Sequence, residues 1–342
     1  MSAKSKQTTW LVVGVLAVAF VATLGKTIVL GVVDGGPTKL LQTVVNTVAL
    51  GSMYALTALG YTLVYGVLRF INFAHSDVFT FGAWISFAIA SAFGWAVTES
   101  PLFAMPMILL LAMAACAALG VTIEALAYRP LRRAPRLNVL ITAIGVSLLL
   151  QNVGQLKFVF GTQPQHMPAL IHDSSLFEIS GVHIRVVDVT VVLLAALLLI
   201  ALEALVYRTK LGRAMRAVSF DERVASLMGI NVNRIVSITF GIGSALAAAG
   251  GLLFALKYES IKQTADATWV LLGLKAFVAA VVGGIGNVRG AVAGAVLIAF
   301  VEMFGAAYLS PHMRDLYVFV ILIVVLLVKP SGLFGKSVVE KV

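Results

Sequence analysis

The sequence predicts an all-α, polytopic transmembrane helical bundle of about ten spans. Three observations predict it. Hydrophobic residues make up 60% of the 342 positions and charged residues only 12%, where a soluble domain carries about 45–50% and about 25%. Mean hydropathy is +1.01, so there is too little polar sequence to coat a water-soluble globule and lipid must serve as the solvent. Lysine and arginine, whose excess gives a net charge of +10, gather in short loops between apolar runs, the arrangement that orients membrane proteins. An ordinary soluble enzyme, a disordered chain and a disulfide scaffold are thereby excluded. The basic balance reads as membrane orientation, not nucleic-acid binding.

Taken in order, the first apolar run is residues 10–33, after Lys4 and Lys6. It is too long for a signal-peptide core and no A-x-A site follows, so a retained helix is expected. Residues 1–36 are read as this additional helix and 37–342 as the main transmembrane domain. Further apolar segments cover 40–67, 71–93, 102–127, 137–156, 188–207, 235–256, 269–283, 291–309 and 317–329. The segments 269–283 and 317–329 are short for a span of roughly 17–25 residues. The lone cysteine, Cys116, lies in an apolar run and reads as a small buried hydrophobe.

Loop charge sets the orientation. Arg129, Arg132, Arg133 and Arg136 crowd one loop; Arg208, Lys210, Arg213, Arg216 and Arg223 crowd another; Lys329, Lys336 and Lys341 follow the last span. The loop 157–187 has mixed charge, with Lys157, Asp173, Glu178 and Arg185. Ten spans put the basic regions and the N-terminus on one side and 157–187 on the other, so both ends are expected in the cytoplasm.

Small residues recur four apart at Gly286, Gly290 and Gly294, and at Gly241, Ala245 and Ala249. Such stripes let helices approach closely in lipid, either as static packing or as an interface that rocks. The segments INFAHSDVFTFGAWISF (71–87) and GGIGNVRGAVAGAVLIAF (283–300) share a plan: a polar, helix-breaking opening, then a small-residue run, then a helix. Discontinuous helices at corresponding places in two halves point to a transport pathway, and a weak two-half symmetry is expected.

No motif supplies chemistry of its own. Gly25-Lys26-Thr27 and Gly335-Lys336-Ser337 lack the first glycine of a P-loop, having Phe20 and Pro330 there. The glycines at 284, 286 and 290 are one residue off the dinucleotide fingerprint. His75, His166, His172, His183 and His312 form no metal-ligand spacing, and there is no G-x-S-x-G elbow. The chain is expected to hold no metal, no cofactor and no catalytic residue.

Polar residues at span ends are more informative. Arg69, Asn72, His75, Ser76 and Asp77 lie between two apolar runs. At the membrane surface they form a solvated turn; dipping inward, they imply a water-lined path or a protein interface. Glu124 and Glu203 precede Arg129 and Arg208 and are expected to pair there or snorkel. Lys275 and Glu302 sit on neighbouring predicted helices, and a structural pair fits better than a proton relay, since no further acids or histidines accompany them. The loop 207–235 mixes basic residues with Val218, Leu227, Met228 and Ile230, and Gly229 ends a short helix. It reads as a membrane-surface helix or a docking element; the missing P-loop favours docking.

The stretch NTVALGSMYALTALGYTLVYGVLRFINFAHSDVFTFGAW (46–84) closely resembles the high-affinity branched-chain amino-acid ABC transporter permeases. So do ALAYRPLRRAPRLNVLITAIGVSLLLQN (125–152), LGRAMRAVSFDERVASLMGIN (211–231) and LKAFVAAVVGGIGNVRGAVAGA (274–295). The likeness runs in order over about residues 40–342. It implies an inner-membrane importer permease that pairs with a second permease, a paralogue in this family, with two cytoplasmic ATPases carrying ATP and magnesium below and a periplasmic solute-binding protein above. It implies that 211–231 is the coupling element, with Arg213, Arg216, Glu222, Ala225 and Gly229 as the coupling residues. Ala225 and Gly229 keep the A-x-x-x-G part of the family pattern, while Arg223 and Val224 replace its preceding E-A. Tyr54, Tyr61, Asn72, His75 and Ser76 are the expected pathway residues. Urea and short-chain amide permeases share these motifs; an ion-coupled secondary transporter would need an acid cluster inside the bundle.

Overall fold

The computed structural model describes residues 3–95, 100–132, 134–171, 174–179 and 181–335. Arg133, His172, Asp173, Lys336 and Lys341 lie outside the described residues. Helix α1 runs Ala3–Leu68 and is interrupted at Gly36, whose φ of 70° is not helical. Glycine adopts that angle without a Cβ clash, and Pro37 suits the first turn of the continuing helix.

The remaining helices follow the apolar runs. They are α2 (His75–Ala92), α3 (Ala104–Ile123), α4 (Arg136–Gly154), α5 (Val186–Arg208), α6 (Lys210–Phe220), α7 (Glu222–Leu227), α8 (Val232–Tyr258), α9 (Ala267–Gly283), α10 (Val288–Tyr308) and α11 (Arg314–Val328). Helix α3 continues through a π turn, Glu124–Tyr128, and a 3-10 turn, Arg129–Leu131. Among the described residues, 7 helices are long and apolar enough to cross a membrane. Helix α9 is apolar but has only 17 residues, about 26 Å at 1.5 Å per residue. By this criterion the expected ten spans are not reached. The run 71–93 departs most from expectation, since it becomes helical only at His75.

The bundle is layered around two helices. In the Gly36–Leu68 part of α1, 89% of the most apolar stretch is buried, and in α8 78%; in α5 and α11 the figures are 22% and 11%. The first pair forms the core, and the second lies on the outside of the bundle. Helices in lipid gain little from hydrophobic association, so backbone proximity must bind them. A Cβ on Gly82 of α2 would lie 2.4 Å from the Ala248 Cα, and one on Gly251 of α8 would lie 2.0 Å from the Phe79 carbonyl oxygen. Gly241 faces Ala117 and Val121 of α3. Gly290 and Gly294 of α10 close on Gly283 and Ala279 of α9. Gly286, expected on the same stripe, is not helical: with a φ of 93° it forms the α9–α10 turn and faces Gly66.

That turn stays at the end of the bundle. Asn287 caps α10 by accepting from the Arg289 and Gly290 amides, and the Leu333 and Phe334 amides donate to Val282 and Gly283. Arginine-bearing loops meet at this end, where Arg69 donates to the Ser219 carbonyl at 3.2 Å and Arg132 to Asn233 at 2.7 Å. The opposite end carries the mixed-charge loop. There β1 (Gln165–His166) pairs antiparallel with β4 (Ser260–Ile261), and β2 (Ser175–Ile179) forms a hairpin with β3 (Val182–Arg185).

Gly251→Ala is expected to destabilise the α2–α8 contact by about 1–3 kcal/mol, read as a lower thermal midpoint of the purified protein. Gly145→Ala, where a Cβ meets nothing within 4 Å, should leave that midpoint unchanged or raise it.

Candidate functional site

The polar stretch after α1 settles the choice left open by its sequence: it turns inward. Arg69 ends the helix in a left-handed conformation, with φ 55°. The chain then doubles back, so that the His75 ring reaches the Thr57 carbonyl, with Nε2 at 3.2 Å from the oxygen. Thr57 lies about three helical turns before Leu68, so α2 starts well inside the bundle. A carbonyl only accepts, which places the ring proton on Nε2. The Tyr61 ring meets the imidazole edge-on at 4.5 Å. Asn72 accepts from the Tyr128 hydroxyl at 2.6 Å, and Ser76 donates to the Phe73 carbonyl at 2.9 Å. Asp77 accepts from the Gln151 amide at 2.9 Å through Oδ1, and its buried Oδ2 has no hydrogen-bond partner among the described residues.

Two glycines make room for this segment. A Cβ on Gly60 would lie 2.2 Å from His75 Nε2, and one on Gly273 would lie 2.1 Å from the Ser76 Cβ. Tyr61, Asn72, His75 and Ser76 are thus brought together, each less than 10% exposed. Asp77 belongs with them. The sequence marked the polar residues but not the two glycines across from them, whose only signal was their type.

Tyr54 lies elsewhere. Its hydroxyl donates to Glu302 at 2.8 Å, toward the mixed-charge end. Glu302 is fully buried and also takes Lys275 at 2.8 Å and Arg314 at 2.5 Å. Lys275 holds Asp315 at 2.5 Å. The Lys275–Glu302 pair expected from neighbouring helices is present, embedded in a larger cluster. Glu124 pairs with Arg129 at 2.8 Å, as its position suggested, and also with Arg132 and Ser237. Glu203 does not pair with Arg208; it takes Arg289 of α10 at 2.6 Å, because tertiary packing presents α10 to that face of α5. A second buried pair escaped the sequence reading: Lys257 at the end of α8 meets Asp188 near the start of α5, with Arg185 donating to the Lys257 carbonyl at 3.1 Å. Its partners are far apart in sequence, and nothing in their spacing announced them.

The loop 209–231 folds into two short helices. Thr209 caps α6 by accepting from the Gly212 amide at 3.0 Å, and Asp221 caps α7 by accepting from the Arg223 and Val224 amides. Gly212, Met215 and Val218 form the buried face of α6. Ala225 is buried, and Gly229 ends α7 at a φ of 80°, the left-handed position glycine favours past a helix end. Arg213 and Glu222 are exposed. Arg216 is exposed too, but its guanidinium folds back to donate to the Val206 carbonyl and lies over the Tyr207 ring at 5.4 Å. Phe220, Val224, Leu227 and Met228 are 87, 53, 86 and 78% exposed, an apolar patch on a loop at the end of the bundle.

These features define a polytopic helical membrane protein with a buried polar re-entrant segment and an exposed apolar patch. The family model described as "Branched-chain amino acid transport system / permease component" matches residues 43–328, and the chain belongs to that family. Among curated proteins it is 39% identical to the high-affinity branched-chain amino acid transport system permease protein BraD of Pseudomonas aeruginosa, over 88% of this chain and 98% of the relative. It is 38% identical to the corresponding protein LivH of Escherichia coli K12, over 88% and 97%. With the probable branched-chain amino acid transport permease protein LivH of Methanocaldococcus jannaschii it shares 29% identity over 83% and 89%. No solved structure gives a significant match.

Lys275→Met is expected to destabilise the fold by about 3–5 kcal/mol, since it breaks a buried ion-pair cluster from one side. The double change Lys275→Met with Glu302→Gln should recover part of that loss, read as detergent-solubilised yield and thermal midpoint.

Proposed function

We propose that the chain is the membrane permease subunit of an ATP-driven importer that carries branched-chain amino acids across a bacterial cytoplasmic membrane by alternating access. The observation that carries the reading is the family membership over residues 43–328, joined to a bundle with an exposed apolar patch at one end. The relatives' names supply the substrate class. Energy comes from two cytoplasmic ATPases, specificity largely from a periplasmic solute-binding protein, and a second permease, a paralogue, completes the membrane part. Both termini face the cytoplasm, on the side of the arginine-bearing loops.

In this reading α6 and α7 seat in the ATPase. Phe220, Val224, Leu227 and Met228 supply apolar contact, with Arg213, Glu222 and Arg223 around them. Ala225 anchors α7 to the bundle, Gly229 sets its exit, and Arg216 braces α6 against the end of α5. Motion of the pair reaches the core through the end of α1, where Ser219 donates to the Gly66 carbonyl. The buried cluster of Tyr61, Asn72, His75, Ser76 and Asp77 is the closed centre of the pathway. Polar groups held inside a lipid-solvated bundle serve function more often than stability.

The test is reconstitution. Liposomes holding the complete transporter should accumulate leucine with ATP inside and binding protein outside. The chain alone should neither hydrolyse ATP nor carry leucine down a sodium or proton gradient; gradient-driven uptake would assign it to secondary transport instead. Within the complex, Leu227→Asp should cut ATPase co-purification about tenfold or more, as the loss of a central apolar anchor does. Gly229→Asp should abolish coupled uptake while membrane insertion is unchanged.

A further inference from the structure

A cavity of 340 Å³ lies between α8, α9 and α11 at the mixed-charge end of the bundle. It has two kinds of wall. Phe254, Trp269 and Leu272 form an apolar side, and Lys262, Lys275, Arg314 and Asp315 a charged one. Lys275 lies about 12 Å along α9 from its first residue and is almost fully covered, while Arg314 and Asp315 have 43% and 44% of their side chains exposed. Two accessible cations, Arg314 and Lys262, and one accessible anion, Asp315, therefore border an apolar hollow; Lys262 is 44% exposed and pairs with Asp266 at 3.9 Å.

Resting on the importer reading, we propose that this cavity is a binding site on the permease itself for a neutral amino acid in its zwitterionic form. The carboxylate sits at Arg314 and the ammonium at Asp315, and the aliphatic side chain lies against Trp269 and Leu272. The volume falls within the range of small-molecule sites. The charge balance selects the ligand class. Lys262, Lys275 and Arg314 are offset by Asp266, Glu302 and Asp315, so the cluster is neutral as a whole and matches a ligand with both charges and no net charge. An acidic or basic side chain laid against Trp269 and Leu272 would enter an apolar wall, at a desolvation cost. Glu302 keeps Lys275 and Arg314 in place from behind, with Tyr54 holding its other oxygen at 2.8 Å. The sequence placed Tyr54 in the pathway; here it supports one wall of the site from the far side of a carboxylate.

Ala267 stands on the cavity wall and is exposed, and the native thiol, Cys116, is buried. In the complete transporter in phosphatidylcholine nanodiscs, Ala267→Cys should react with a membrane-impermeant maleimide. Millimolar leucine should slow that reaction threefold or more. N-acetyl-leucine, which lacks the ammonium, leucinamide, which lacks the carboxylate, and lysine and glutamate should not slow it. Adding Asp315→Asn should remove the protection by leucine. The ligand series needs no second substitution, so it stands even if that variant folds poorly. Equal protection by N-acetyl-leucine, or none by leucine, overturns the site. So does slowing by phosphatidylethanolamine in the disc without any further effect of leucine, which would make the ligand a lipid headgroup. Leucine uptake by the unmodified transporter, alongside a thiol at position 267 that leucine does not protect, overturns the site while leaving the importer reading intact.

Discussion

Inside a bilayer a backbone that leaves the helix must find its partners in protein, because lipid offers none. Residues 69–74 meet that constraint, and the centre of the bundle is arranged around them. Tyr128 from the end of α3, Thr57 from α1 and Gln151 from α4 all supply hydrogen bonds to the segment or its first helical turn. Gly60 and Gly273 leave the space it fills. Removing the re-entrant segment would leave a void among α1, α4, α8 and α9. Filling it with apolar sequence would strand the groups now paired to it.

The same constraint accounts for the distribution of charge. Arginines that remain at the bundle end are exposed or hold a neighbouring loop, as Arg69 and Arg132 do. Charges within the helices are grouped: Glu124 with two arginines, Asp188 with Lys257, and Glu302 with Lys275 and Arg314. The last two groups tie two or three helices that share little hydrophobic drive in lipid, and the first reaches α8 through Ser237. A cluster that holds helices together through exchangeable partners can also rearrange when helices shift. That makes the Glu302 group, which borders an accessible cavity, the place where binding and motion can meet.

Much of this was legible in the sequence, for identifiable reasons. Apolar runs became helices nearly where they lie, because lipid leaves few other ways to pair a backbone. Gly229 announced the end of a short helix by local chemistry alone, while its cap, Asp221, showed only in the structure. The segment 69–77 was legible as a choice between two depths, and only packing decides depth. Gly286 shows the limit of spacing: it keeps the fourfold interval, yet a positive φ takes it out of the helix. Glu203 shows another, since a nearby arginine in sequence lost to Arg289, which the fold brings from another helix. The seats for His75 and Ser76 were invisible because a glycine says that space is needed without saying for whom.

The depth of residues 72–78 is the claim on which the rest turns, and hydrogen–deuterium exchange read by mass spectrometry tests it most directly. In the intact protein, amides of that stretch should exchange as slowly as those of α8, and far more slowly than those of the loop around Gly161. Exchange as fast as in that loop would place the segment at the surface and contradict the account.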